Sequence, residues 1–113
     1  MTSNSNQADK IAALNDRLRQ TFLAGRIELS KGILALPQEQ RLEIIDKVEH
    51  YDSFAPQGEA QREKDFGAFS CGEHDVFWEI NCYDNNGVWT CFNRDDPSKT
   101  DRILSIRLID EMR

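Results

Sequence analysis

The sequence predicts an α+β fold: two N-terminal helices packed on an antiparallel β-sheet, with a C-terminal meander of about four strands plus a short strand between the helices. Three observations carry this reading. From Gln7 to Phe22, apolar side chains recur at three- and four-residue steps, the period of one helical face. From Asp65 to Phe92, three short aromatic runs (FGAFSC, VFWEINCY and VWTCF) are divided by the turn sequences CGEHD and DNNG. Near the C-terminus, RILSIRLI alternates Leu104, Ile106 and Leu108 with Ile103, Ser105 and Arg107, the period of a strand.

Taken in order, residues 1–6 are small and polar and are expected to be disordered, leaving residues 7–113 as a single α+β domain. In the first helix Ile11, Leu14, Leu18 and Phe22 share a face, with Asn6 as the expected N-cap and Gly25 as the stop. Arg26 to Ser30 alternates Ile27 and Leu29 with charged neighbours and reads as the short strand. Lys31 to Leu36 fits no single element. Pro37 suits the first turn of the second helix and Glu39 its positive end, while Leu42, Ile44, Ile45, Val48 and Tyr51 make a broad apolar face. Residues 52–64 are polar, with Pro56 and Gly58, and read as a long exposed loop.

Turn chemistry sets the register of the meander. Asn86 and Gly87 tolerate positive φ, so a two-residue turn there puts Asp84 opposite Trp89 and Cys82 opposite Cys91. A turn at Gly72 and Glu73 puts Gly67 opposite Trp78, an indole over a bare glycine. Because side chains alternate, Trp78, Ile80, Cys82, Trp89 and Cys91 share one face and form the core. Phe77, Glu79, Asn81, Tyr83, Thr90 and Phe92 share the other. That second face is too aromatic for an ordinary solvated surface and too polar for a sealed interior, the mixture that protein interfaces concentrate at their centres.

Composition narrows the function classes. The formal net charge is −6, and all of the acidic excess lies in residues 51–113, which disfavours direct binding to a phosphate backbone and favours a basic protein partner. No apolar run is long enough to span a bilayer, and MTSNSNQADK lacks the basic and apolar segments of a secretory signal, so a cytoplasmic location is expected, with no membrane partner.

Candidate chemistry is sparse. Cys71, His74, Cys82 and Cys91 include zinc-ligand types, but only the first two have ligand spacing, and a reducing cytoplasm favours buried thiols over a Cys82–Cys91 disulfide. Asp65, Asp75, Glu79 and Asp84 flank the meander and are the types that hold magnesium for phosphodiester hydrolysis, although Asp75 and Asp84 also suit turns. No GxSxG, phosphate-cradling glycine loop or HExxH is present, and no cofactor, metal or catalytic residue is assigned.

The stretches GRIELSKGILALP (25–37), DFGAF (65–69), VFWEINCYD (76–84) and DDPSKTDRILSIRL (95–108) resemble those of an uncharacterised family of small bacterial proteins commonly encoded on plasmids and other mobile elements. The likeness spans about Ile11 to Leu108. Family members often carry a histidine in place of Lys64 and an aromatic in place of Cys82, which implies that neither a histidine site before the sheet nor a cysteine metal site is a family property. The resemblance implies a context in which small acidic proteins act by binding, for example by occupying the basic nucleic-acid surface of a restriction or CRISPR complex.

The expected function is therefore a non-enzymatic acidic binding module. Phe77, Glu79, Asn81, Tyr83 and Phe92 form the contact surface, and Asp65, Asp75 and Asp84 steer a basic partner towards it. The competing expectation is a divalent-metal-dependent hydrolase of nucleic acid or nucleotides. An exposed sheet edge also leaves room for a homodimer.

Overall fold

A computed structural model describes residues 3–22, 25–53, 63–84, 95–96 and 100–112. Its elements are helix α1 (Ser3–Thr21), strand β1 (Arg26–Leu29), helices α2 (Lys31–Leu34) and α3 (Gln38–Glu49), strands β2 (Phe66–Cys71), β3 (His74–Asp84) and β4 (Thr100–Leu108), and a closing 3₁₀ turn (Ile109–Met112). The α+β expectation holds. The sheet, however, is mixed rather than wholly antiparallel: in the order β1-β4-β3-β2, β1 runs parallel to β4 while the other pairs are antiparallel. There are also three α-helices among the described residues, because KGIL, left unassigned from sequence, forms α2.

In α1 the side chains of Ala8, Ile11, Ala12, Asn15, Leu18 and Arg19 are buried, a stripe with the i, i+3, i+4 spacing that packs a helix on a sheet. The stripe contains Asn15 and Arg19 rather than Leu14, which lies at its margin. Asn6 lies inside the helix instead of capping it, and residues 3–6, assigned from composition to a disordered start, belong to its first turns. Nor does Gly25 end the helix. Phe22 does so, at φ 60°, with its N–H donating to the Leu18 carbonyl at 2.8 Å. Gly25 serves a different need, since a Cβ there would lie 2.4 Å from the Arg102 carbonyl oxygen.

Ser30 caps α2 by accepting the Ile33 N–H at 3.2 Å. The Glu111 carboxylate, at the far end of the chain, completes this junction by accepting from the Ser30 hydroxyl, from Gly32 N–H at 2.8 Å and from Leu108 N–H at 2.9 Å. Those donors hold its carboxyl below the ordinary carboxylate range. In α3 only Ile44 and Val48 are fully buried. Leu42, expected in the apolar face, is 58% exposed, so that face is narrower than its sequence suggests.

The helices lie on one side of the sheet. Leu18 of α1, Ile33 of α2, and Ile44 and Val48 of α3 join Val76, Trp78, Ile80, Leu104 and Ile106 in one buried cluster. The even-numbered positions of β3 are thus the inner ones. Gly67 sits opposite Trp78, and Gly72 has φ 62°, as the turn reading requires. A Cβ on Gly67 would fall 2.6 Å from the indole nitrogen of Trp78 and 2.7 Å from the Tyr51 ring. The 88–92 run and its expected pairing with β3 lie outside the described residues; along Val76–Asp84 the antiparallel neighbour on one side is β4. No helix among the described residues is long and apolar enough to cross a membrane.

Candidate functional site

The sheet's outer face is built by strict alternation. In register order, Glu28, Ser105, Glu79 and Phe66 form one row across all four strands. Arg26, Ile103 and Asn81 form the row on one side of it, and Arg107, Phe77 and Ala68 the row on the other; Asp101 and Tyr83 stand at the open end. Phe66 and Phe77 meet as tilted rings with centroids 6.4 Å apart. Beside them Arg107 is ion-paired with Glu79, each side chain about a third exposed. Phe77, Tyr83 and Ile103 are half-buried and Asn81 is exposed. The residues of α1, α2 and α3 that join the core pack against the opposite face.

This geometry brings together Phe77, Glu79, Asn81 and Tyr83, four of the expected contact residues, and separates the rest. Phe92 lies outside the described residues. Asp75 is on the outer face, but its carboxylate accepts the Ser70 hydroxyl at 2.7 Å, the local bonding that favours Asp beside a turn. Asp65 has the opposite parity, its carbonyl accepting the Ile80 N–H at 2.7 Å. Asp84 pairs with Thr100 in register; its side chain is not among those described. Asp65 and Asp75 therefore lie on opposite faces of the sheet. Acidic groups at the rim of the outer face come instead from Glu28, Asp75 and Asp101.

Asp65 lines a half-open polar pocket of about 200 Å³ between α1 and the sheet, together with Ile11, Asn15, Ile80, Asn81, Cys82 and Arg102. Arg102, 4% exposed, donates from Nε to Asn15 Oδ1 at 3.1 Å and from Nη1 to Thr100 Oγ1 at 2.9 Å, and Asn15 Nδ2 donates to the Glu63 carbonyl at 2.9 Å. Asp65 Oδ1 is buried without a hydrogen bond. Burial pushes its carboxyl above the ordinary value of 3.8; a bond from its own backbone opposes the shift and the Glu79 charge adds to it.

The sign of this linkage is that folded Asp65 holds its proton more tightly than the unfolded chain does. Stability is therefore lost as pH rises from 3.8 through the raised folded value, and the penalty is complete at neutral pH. Asp65→Asn is expected to stabilise the protein at neutral pH and to have no such effect in acid, as read by urea unfolding at both.

Cys71 and His74 face each other across the turn, and Cys71 is a buried free thiol, pushed up by burial and then by Glu43. Cys82, expected as a free thiol, is disulfide-bonded; Cys91 lies outside the described residues. Among the described residues, Asp46, Glu49 and His50 lie close enough together to hold an ion, but their geometry is that of a helix end. His50 Nδ1 lies 3.0 Å from the Asp46 carbonyl and 3.4 Å from its carboxylate, and these contacts raise its pKa.

Sequence reasoning missed Arg107, Asn15 and Arg102. The alternation of RILSIRLI had put Arg107 on a face with Ile103 and Ser105, but its pairing with Glu79 needed the β3–β4 register. Asn15 and Arg102 carry no sequence signal of burial.

In comparisons with known proteins, the family model described as "Protein of unknown function (DUF3768)" matches residues 29–111. No curated protein and no solved structure matches the chain.

Proposed function

We propose, from the premise that the chain belongs to the DUF3768 family of proteins of unknown function, that it is a protein-binding module acting through the outer face of its sheet. One observation carries the reading: Phe66 and Phe77 stand beside the Glu79–Arg107 pair on the face opposite the helices, with Ile103 and Tyr83 further along the same face. Aromatic rings beside a partly exposed charge pair, with polar groups at the margin, are the composition of an interface centre. At the rim, Glu28, Asp75 and Asp101 outnumber Arg26, which supports a basic partner. In this reading the protein is a mobile-element accessory, and the basic surface it covers is the nucleic-acid-binding surface of a restriction or CRISPR-type defence complex.

The hydrolase reading needs Asp65, Asp75, Glu79 and Asp84 to converge on an ion. Asp75 and Glu79 have outer parity and are occupied by Ser70 and Arg107, whereas Asp65 has inner parity. No observation favours it.

The test is affinity capture from a host lysate with the parent and with a Phe77→Ser, Tyr83→Ala variant whose circular dichroism matches the parent. The parent is expected to retain a basic protein that duplex DNA displaces, and the variant to lose it by at least tenfold, on the order of one hot-spot residue. Equal capture by both would remove the outer face from consideration.

A further inference from the structure

The two edges of the sheet differ in kind. At one end, β1 has four residues, RIEL, of which Arg26 and Glu28 are charged. Short length and charge are the devices by which a protein keeps an edge strand from pairing with another chain. At the other end, β2 has six residues, FGAFSC, none charged and none proline. Among the described residues no strand lies on its far side.

The backbone direction along β2 follows from one bond. In an antiparallel ladder, opposite residues alternate between pairs that exchange hydrogen bonds and pairs that do not. Ile80 N–H donates to the Asp65 carbonyl, so Asp65 and Ile80 are a bonded pair. Gly67–Trp78, Phe69–Val76 and Cys71–His74 are then bonded pairs as well. Ala68 and Ser70 therefore direct N–H and C=O away from β3, towards the open edge. Their side chains are small and exposed, so nothing on the strand obstructs an approaching backbone.

We infer that β2 is a homodimerisation edge, pairing antiparallel with β2 of a second copy of this chain to make one continuous eight-stranded sheet. An antiparallel pairing of identical strands has a two-fold axis, and an uncharged strand meets no like charge when it faces itself. With the axis at Phe69, Ala68 stands opposite Ser70 of the second copy and the reverse, which satisfies the outward N–H and C=O groups of these two residues on each chain. The two Phe69 rings, each half-buried, then meet in a non-hydrogen-bonded pair, where cross-strand side chains approach most closely. The two outer faces become coplanar neighbours, so the dimer presents its binding face twice. Edge pairing alone covers less area than a standard interface, so the dimer is weak and concentration-dependent. The net charge of −6 on each chain opposes association, so added salt strengthens it.

Sedimentation velocity on the full chain from about 5 to about 500 µM, a range that brackets micromolar affinities, tests the inference. The expected result is a shift from 13.0 kDa towards twice that mass, larger at higher salt. In parallel, the Ala68 and Ser70 amides should exchange slowly with solvent at high concentration and quickly at low concentration. Ala68→Lys, placed on an exposed position, should weaken association at least tenfold. A chain that stays monomeric throughout overturns the proposal, whether or not it pairs with a foreign strand. So does a dimer whose Ala68 and Ser70 amides remain unprotected. The exchange measurement uses the unmodified chain, so it decides the matter even if the lysine variant does not fold.

Discussion

Trp78→Ala is expected to lower stability by about 3–5 kcal/mol, the cost of deleting a fully buried aromatic, read as a fall in the urea midpoint. The indole is 0% exposed. It meets the Tyr51 ring edge-on at 5.5 Å, and the Arg19 guanidinium lies 5.4 Å from its centroid. Little around it is free to collapse into the space, because the strands on both sides fix its neighbours. The reciprocal change is Gly67→Ala, which drives a methyl group into the indole and the Tyr51 ring and should cost about 1–3 kcal/mol by overpacking. Once the indole is gone the methyl group has room, so the double variant should lose less than the sum of the two single losses. A double-mutant cycle that came out additive would show that Gly67 is required for its backbone rather than for the space it leaves.

Arg19→Ala is the second large loss, expected at about 3 kcal/mol or more by the same unfolding assay. This side chain, 2% exposed, donates from Nη1 to the carbonyls of Val48 at 2.9 Å and Glu49 at 3.2 Å, and from Nη2 to Asp16 Oδ1 at 3.0 Å. One guanidinium thus closes the C-terminal end of α3, where unpaired carbonyls and the helix dipole both favour a cation, and ties it to α1. Truncation strands those carbonyls away from water and leaves a cavity against Trp78. Lysine is not expected to restore the loss, since one ammonium cannot reproduce a planar fork that serves two elements. Recovery of parental stability in Arg19→Lys would mean that the positive charge alone is what the site needs.

The two-sided character of β3 was legible in the sequence because it rests on the period of two and on a turn at Gly72, both local properties. Gly67 opposite Trp78 followed by counting from that turn. What was not legible is non-local. β1 lying parallel to β4, and β4 lying against β3, depend on chain crossings that no turn residue announces. Asp65 was grouped with Asp75 because both flank the meander, yet one residue of offset decides the face, and strand starts are where sequence fixes phase least well. Leu42 looked like core because α3 is apolar over a wide arc, whereas only its Ile44–Val48 ridge reaches the sheet. Asn15, Arg19 and Arg102 read as solvent-facing by composition. They are inside because their hydrogen-bonding capacity meets backbone carbonyls and one another there. Of the candidate site, the residues on β3 were foreseen, and the partner strand's Arg107 and the rim acids Glu28 and Asp101 were not.

Alternation along β3 has a consequence for how such a chain can change over time. Substitutions at its even positions are screened by whether the molecule folds at all. Those at odd positions meet a weaker screen, because Phe77 and Tyr83 are only half-buried and Asn81 is exposed. A lineage can therefore redraft this outer surface, residue by residue, while the hidden side of the same strand holds the architecture constant.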